Sequence, residues 1–167
     1  AGSGAFRANG GAGGDQSYSQ GGGGAGGRIS VTGVAGSVTF EAHSTDAGQP
    51  AGAGTIYYVR DGETLPVLVV DNGGISGPVT VMPDADWDLQ DLLVGGGAHL
   101  KLGAGVSTTV ADALTVTGAS TLTLDNTLTA TDVTIGDLAT LTHSAGVVDL
   151  LLNLSGDLVV EAGGQLS

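Results

Sequence analysis

The sequence predicts an all-β fold, a parallel β-helix (β-solenoid) with coils of about 19–25 residues, and three features support this prediction. Between residues 91 and 167 one strand-turn-strand pattern is repeated four times. Within each copy aliphatic residues alternate with small or polar ones, which is the period of a strand with one buried face. A glycine between the two short strands allows a sharp corner and a positive φ. These corner glycines are Gly96, Gly118, Gly136 and Gly163.

Two aliphatic columns run through the four copies. Each column recurs after 22, 19 and 25 residues, the spacing of successive coils in a solenoid. Because a single copy cannot bury its apolar face, the coils must stack and place the members of each column over one another. The first column is Val94, Val116, Ile135 and Val160, and the second is Leu100, Leu122, Leu141 and Leu166.

The chain divides into three parts by composition and pattern. Residues 1–28 are glycine-rich, residues 29–90 contain irregular strands, a hairpin and the first coils, and residues 91–167 form the regular solenoid. The glycine-rich part has two interpretations: a flexible linker with turns, or ordered glycine coils packed on the end of the solenoid. In the second interpretation Phe6 and Tyr18 would anchor it.

The middle part contains a hairpin signal. Asp61-Gly62 lies between two apolar runs, which is typical of a tight turn that joins two strands. Pro66 has no N–H to donate, so we expect it at the start or the edge of a strand.

Composition excludes several classes of partner. Seventeen acidic residues stand against four basic ones, giving a formal charge of −13, and such a surface repels nucleic acid and anionic lipid. No apolar run approaches the roughly 18 residues of a membrane span, so we expect no membrane insertion. Because the chain starts at Ala1 without methionine and stops within a repeat, we expect a processed protein or part of a longer one.

One acidic cluster is a candidate cation site. Asp84, Asp86 and Asp88 occupy alternate positions, so their carboxylates project to one side of an extended segment. This spacing resembles a calcium loop, although Leu89 stands where that loop has glycine. The alternative is a solvated acidic lip, and apart from possible calcium we expect no cofactor.

The residues argue against catalysis. A polysaccharide lyase needs a basic side chain facing carboxylates, yet Lys101 is the only Lys or Arg after Arg60. The three histidines, His43, His99 and His143, lie far apart in the sequence. We expect His99 on the outer face and His143 at a strand end, and therefore no enzyme.

Three segments carry a resemblance to a known class. Residues 21–30, 52–58 and 68–74, followed by degenerate Leu/Val/Gly coils, are similar to large secreted bacterial repeat proteins of the pectate-lyase-like right-handed β-helix class. That class includes autotransporter passengers and filamentous-haemagglutinin-type adhesins. The resemblance implies a right-handed parallel β-helix and an extracellular or bacterial cell-surface location, and it indicates no particular ligand. Surface glycans are a separate candidate for a partner.

The predicted function is a non-enzymatic structural surface module, an adhesin stalk or a filament subunit. Open sheet edges at solenoid ends must be capped or paired, so Val160 and Leu166 would stack head-to-tail on Ile29 and Val31 of another copy, or on flanking repeats of a longer chain. Two alternatives remain: a carbohydrate-binding or polysaccharide-degrading β-helix, and an ice-binding solenoid that uses outward Thr-x-Thr pairs. Those pairs lie at residues 115–117, 121–123 and 140–142.

Overall fold

A computed structural model describes residues 3–16, 19–103, 107–146 and 149–167. Within these ranges the chain forms eighteen β-strands and no helix, and its parallel coils stack into a β-solenoid of about six turns. The predicted all-β solenoid is therefore confirmed. These described residues accordingly include no helix with the length and apolarity to cross a membrane.

The strand bounds are as follows. They are β1 Gly4–Arg7, β2 Asp15–Gln16, β3 Ser19–Gln20, β4 Arg28–Val34, β5 Val38–Glu41, β6 Thr55–Arg60, β7 Val67–Asp71, β8 Thr80–Val81, β9 Trp87–Leu89, β10 Asp91–Gly95, β11 His99–Leu102, β12 Thr108–Val116, β13 Thr121–Leu124, β14 Leu128–Ile135, β15 Thr140–Thr142, β16 Leu152–Leu154, β17 Leu158–Val160 and β18 Gln165–Leu166.

Two sheets form the walls of the regular coils. One has nine strands in the order β16-β14-β12-β10-β7-β6-β4, with β17 beside β14 and β9 beside β12. The other has five strands in the order β18-β15-β13-β11-β8. From β7 onward each coil gives strands to both sheets, and every pairing between these coils is parallel.

The two predicted aliphatic columns are present in register. Val94 pairs with Val116, Val116 with Ile135, and Ile135 with Val160. The leucine column likewise runs through Leu100, Leu122, Leu141 and Leu166. All members before the last coil have 0% exposure, so alternation along each strand and stacking between coils together make one dry core. The valine column begins one coil earlier than predicted, because Val70 pairs with Val94.

A hairpin reverses the direction of the chain. As predicted, β6 and β7 pair antiparallel across the turn that contains Gly62, whose φ is +83°. Pro66 immediately precedes β7, again as predicted. Because β4 pairs parallel with β6, both of these strands run opposite to β7 and all later strands of their sheet.

The glycine-rich segment is ordered through most of its length. Its backbone bonds to itself and to the following coil, as in Gly24 N–H to Gly11 O at 2.8 Å and Gly10 N–H to His43 O at 2.9 Å. A Cβ on Gly26 would lie 2.2 Å from Ala42 O, so only glycine permits this approach. Phe6 stacks on Phe40 with ring centroids 5.6 Å apart. The predicted partner anchor, Tyr18, lies outside the described residues.

Positive φ recurs at one corner of successive coils. Gly97, Ala119, Leu138 and Gly163 each lie two residues before the second strand of their coil and all have positive φ. The expectation of positive φ at Gly96, Gly118 and Gly163 is confirmed, but that for Gly136 is wrong, since Leu138 takes this conformation instead. Gly136 serves a different purpose, because a Cβ there would lie 3.0 Å from Thr117 Oγ1.

Candidate functional site

The C-terminal coil leaves its apolar side chains half exposed. Leu158, Val160 and Leu166 are 43–44% exposed, although Val160 and Leu166 continue columns that are fully buried in earlier coils. The cause is geometric, because within the described ranges β17 pairs only with β14 and β18 only with β15. The same edge carries backbone N–H and C=O groups with no neighbouring strand, which is the chemistry that allows another strand to add.

The opposite end has a different character. Ile29 is 8% exposed and packs with Ala42 and Ile56, while Val31 packs half-buried against the same small cluster. A register shift between Thr32 and Val34 also disrupts the C-terminal part of the outer strand β4, and such a bulge hinders edge pairing at and beyond that point. Of the four predicted stacking residues, only Val160 and Leu166 therefore lie on an open end, and Ile29 and Val31 are covered.

A cleft opens where β4 and β6, which run opposite to the rest of their sheet, extend past the main core of the regular coils. Tyr57 lies opposite Leu68 in the hairpin, so its side chain packs against the main core of the regular coils. The Trp87 ring meets the Tyr57 ring edge-on, with the ring centroids 6.4 Å apart. Leu68 and Met82 are buried on the floor. The cavity is about 230 Å³. The described residues that line it are Arg28, Ile29, Ser30, Thr55, Tyr57, Leu68, Met82, Pro83 and Trp87.

Arg28 gives this apolar cleft a charged rim. The other three basic side chains form ion pairs: Arg7 with Glu41 at 3.0 Å, Arg60 with Asp91 at 2.8 Å, and Lys101 with Asp125 at 2.8 Å. Among the described carboxylates Arg28 has no such partner. Sequence reasoning missed this cleft, and the available signal was the confinement of all aromatic residues to the irregular N-terminal part.

The candidate calcium residues are not gathered into a site. Asp86 Oδ1 accepts hydrogen bonds from the N–H and hydroxyl of Ser107 at 3.0 and 2.9 Å, and these bonds lower the pKa of Asp86. Asp84 and Asp88 are exposed. In the ranges that the structure covers, no group of three His, Cys, Asp or Glu residues is placed to hold a metal ion. Calcium binding by these carboxylates stays a prediction, and the observed role of Asp86 is to join two neighbouring coils.

A cluster that the sequence did not reveal links three successive coils. Lys101 Nζ lies 2.8 Å from both Asp125 Oδ2 and Ser144 Oγ, and the Ser144 hydroxyl donates to Asp125 Oδ2 at 2.8 Å. Burial raises the pKa of Asp125, but the hydrogen bonds from Lys101 and Ser144 outweigh burial and leave this pKa below its ordinary value.

This cluster has the composition of a serine-lysine pair but not its chemistry. A lysine activates serine only as a neutral amine that accepts the hydroxyl proton. Here the ionised Asp125 binds the Lys101 ammonium and also receives the Ser144 hydroxyl proton. The arrangement therefore ties coils together, and the absence of enzymatic activity stays a prediction.

The three histidines lie apart in separate coils. His99 pairs in register with Thr121 on the outward column that continues through Thr140. His43 and His143 each place Nδ1 close to the carbonyl of the next serine, at 2.8 and 3.0 Å. His143 follows the last residue of β15, as predicted.

In the five-stranded sheet the outward threonines form only a small array, and Thr115 of the first predicted pair lies on the other sheet, where it pairs with Thr134. Thr121 pairs with Thr140 and Thr123 with Thr142. The neighbouring coils place His99 and Lys101 on one side of this array. Gln165 lies on the other side. Two coils of Thr-x-Thr make a short patch, so the ice-binding alternative gains no support from repetition.

The search for relatives found no matching family model, no matching curated protein and no matching solved structure.

Proposed function

We propose that this chain is a non-enzymatic structural module of an extracellular or cell-surface protein, a stalk segment whose stack of coils is continued at its C-terminal end. One observation supports it above the others: Val160 and Leu166 end two otherwise buried columns, yet remain 44% exposed. The partner coil comes from a further repeat of the same polypeptide or from a second copy. The extracellular location rests on the resemblance to secreted repeat proteins.

Two physical effects favour stacking at this end. Complete burial of a Val or Leu side chain stabilises by about 1.5–3 kcal/mol, so covering each half-exposed side chain contributes roughly 1 kcal/mol. A second coil also pairs the free backbone edge of β17 and β18. Both effects act at the C-terminal end, because the bulge in β4 and the covered Ile29 and Val31 oppose stacking at the other end.

The geometry of association depends on which ends meet. Head-to-tail contact gives an open polymer, whereas contact between two C-terminal ends gives a closed dimer. Since the N-terminal end is covered, the structure supports the C-terminal contact, and a second copy then forms a dimer. In a longer polypeptide the same surface carries the next coil.

Sedimentation velocity over a range of protein concentrations tests this proposal. We expect reversible association that weakens strongly in Val160→Lys, because a buried, unpaired ammonium opposes stacking. Val81→Lys is the matched control, since Val81 is also an exposed aliphatic residue but lies on the outward face of β8. A monomer at every concentration, or equal association of both variants, would refute the proposal.

A further inference from the structure

Three features lie side by side at the N-terminal end of the nine-stranded sheet. The edge strand is β4, the apolar cleft lies against its inner face, and Arg28 stands at its first residue. Each feature alone is common on proteins. Together they match the three parts of an extended peptide that ends in a carboxylate: its main chain, its last side chain and its terminal charge.

The edge of β4 offers main-chain hydrogen bonds. Among the residues that the structure describes, β6 is its one partner in the sheet, so within those ranges its second edge carries no strand between residues 28 and 32. Beyond Thr32 the bulge at Gly33, with φ +71°, interrupts the strand. An added strand therefore pairs over only about four or five residues.

The cleft provides room for one bulky side chain. Its volume of about 230 Å³ is below the roughly 300–1,000 Å³ of pockets that hold drug-sized ligands. Tyr57 and Trp87 supply aromatic walls and Met82 an apolar floor. Such a lining favours an aromatic or large aliphatic side chain over a polar one.

Charge fixes the direction of the peptide. A guanidinium binds a carboxylate through two parallel hydrogen bonds, and Arg28 is exposed at the N-terminal end of β4. A peptide with its carboxylate at this point must run antiparallel to β4. We propose that β4 captures the carboxy-terminal end of an extended peptide, with its last, bulky apolar side chain in the cleft and its terminal carboxylate on Arg28.

This inference goes beyond the structural role and does not depend on it. Stacking uses the C-terminal coil, whereas peptide capture uses β4 and the cleft at the opposite end. Failure of one experiment therefore leaves the other result unaffected.

The chain carries its own probe for the test. Trp87 is the only tryptophan and forms a wall of the cleft, so its fluorescence reports on this cleft alone. The ligand is the peptide acetyl-Thr-Val-Thr-Phe with a free carboxylate. The comparison ligands are the same peptide with a carboxamide end and N-acetylphenylalanine.

We expect the free acid to shift Trp87 emission in a saturable manner and to bind about tenfold or more tightly than the carboxamide, because the carboxamide loses the charged hydrogen bonds. N-acetylphenylalanine should bind more weakly than the peptide, because it lacks the strand. Arg28→Gln should abolish the preference for the acid. Arg7→Gln, an exposed arginine outside the cleft, should retain it.

Four results would overturn the proposal. No saturable change with any ligand would show that the cleft binds none of them. Equal affinity for acid and carboxamide, or a preserved preference in Arg28→Gln, would remove the role of Arg28. Equal affinity for N-acetylphenylalanine and the peptide would show that β4 adds no strand.

Discussion

At the residue scale, one carboxylate joins three coils of the solenoid. Asp125 is 7% exposed in its side chain and is held by Lys101 from the preceding coil and Ser144 from the following one. Removing one partner of a buried charged cluster leaves the others without compensation. Because Lys101 is about one third exposed, solvent screens part of this effect.

We predict that Asp125→Ala lowers the free energy of unfolding by about 2 kcal/mol at pH 7. The folded-state pKa of Asp125 lies below its ordinary value of 3.8, so this stabilisation is present above the unfolded pKa and is lost as pH falls through the folded pKa. Urea unfolding at pH 7 and pH 3 measures both effects. Asp112→Ala is the control at an exposed carboxylate, and an equal loss at the two pH values for Asp125→Ala would contradict the prediction.

Sequence reasoning could not find this cluster. Lys101 and Asp125 are separated by one coil and Ser144 by a second, and the coil length changes from 22 to 19 residues between them. The sequence therefore contains no fixed spacing from which this cluster could be recognised. At Asp84, Asp86 and Asp88 the spacing is regular, yet among the described residues no three such side chains are placed to hold a metal ion, and calcium binding there stays a prediction.

At the element scale, strand alternation predicted the core correctly. Period-two alternation determines which residues share a face, and in-register stacking then buries both columns. Alternation does not reveal which apolar cluster a given face of the sheet packs against. Ile29 and Val31 share a face as expected, yet that face meets the small N-terminal cluster. The register is the cause, because it pairs Ile29 with Ile56 and Ile56 with Val69, and Val69 lies on the opposite face of β7 from the core residues Leu68 and Val70.

We predict that position along a column sets the cost of truncation. Leu122 is fully buried between Leu100 and Leu141, so Leu122→Ala should lower the free energy of unfolding by about 3 kcal/mol. Leu166 ends the same column half exposed, and Leu166→Ala should cost about 1 kcal/mol or less. Chemical denaturation of dilute protein compares the two variants, and equal losses in the free energy of unfolding would contradict the stacked leucine column.

At the scale of the whole molecule, the solenoid has two unlike ends. The N-terminal end combines reversed coils, close-packed glycines and a bulged edge strand, whereas the C-terminal end exposes an aliphatic surface and a free edge. The sequence predicted the stack but not this asymmetry, because end coverage depends on contacts between distant segments. The two proposals, extension at one end and peptide capture at the other, both rest on this asymmetry.

The spacing of coils in solution tests the central claim most directly. Because the chain has no cysteine, nitroxide labels attach only at Thr121→Cys and Thr140→Cys, an outward pair in register on adjacent strands. Strands about 4.8 Å apart should give strong dipolar broadening of the electron paramagnetic resonance spectrum. The control pair, Thr121→Cys with Thr134→Cys on the other sheet, should show much weaker broadening. Equally weak broadening in both pairs would contradict the stacked solenoid.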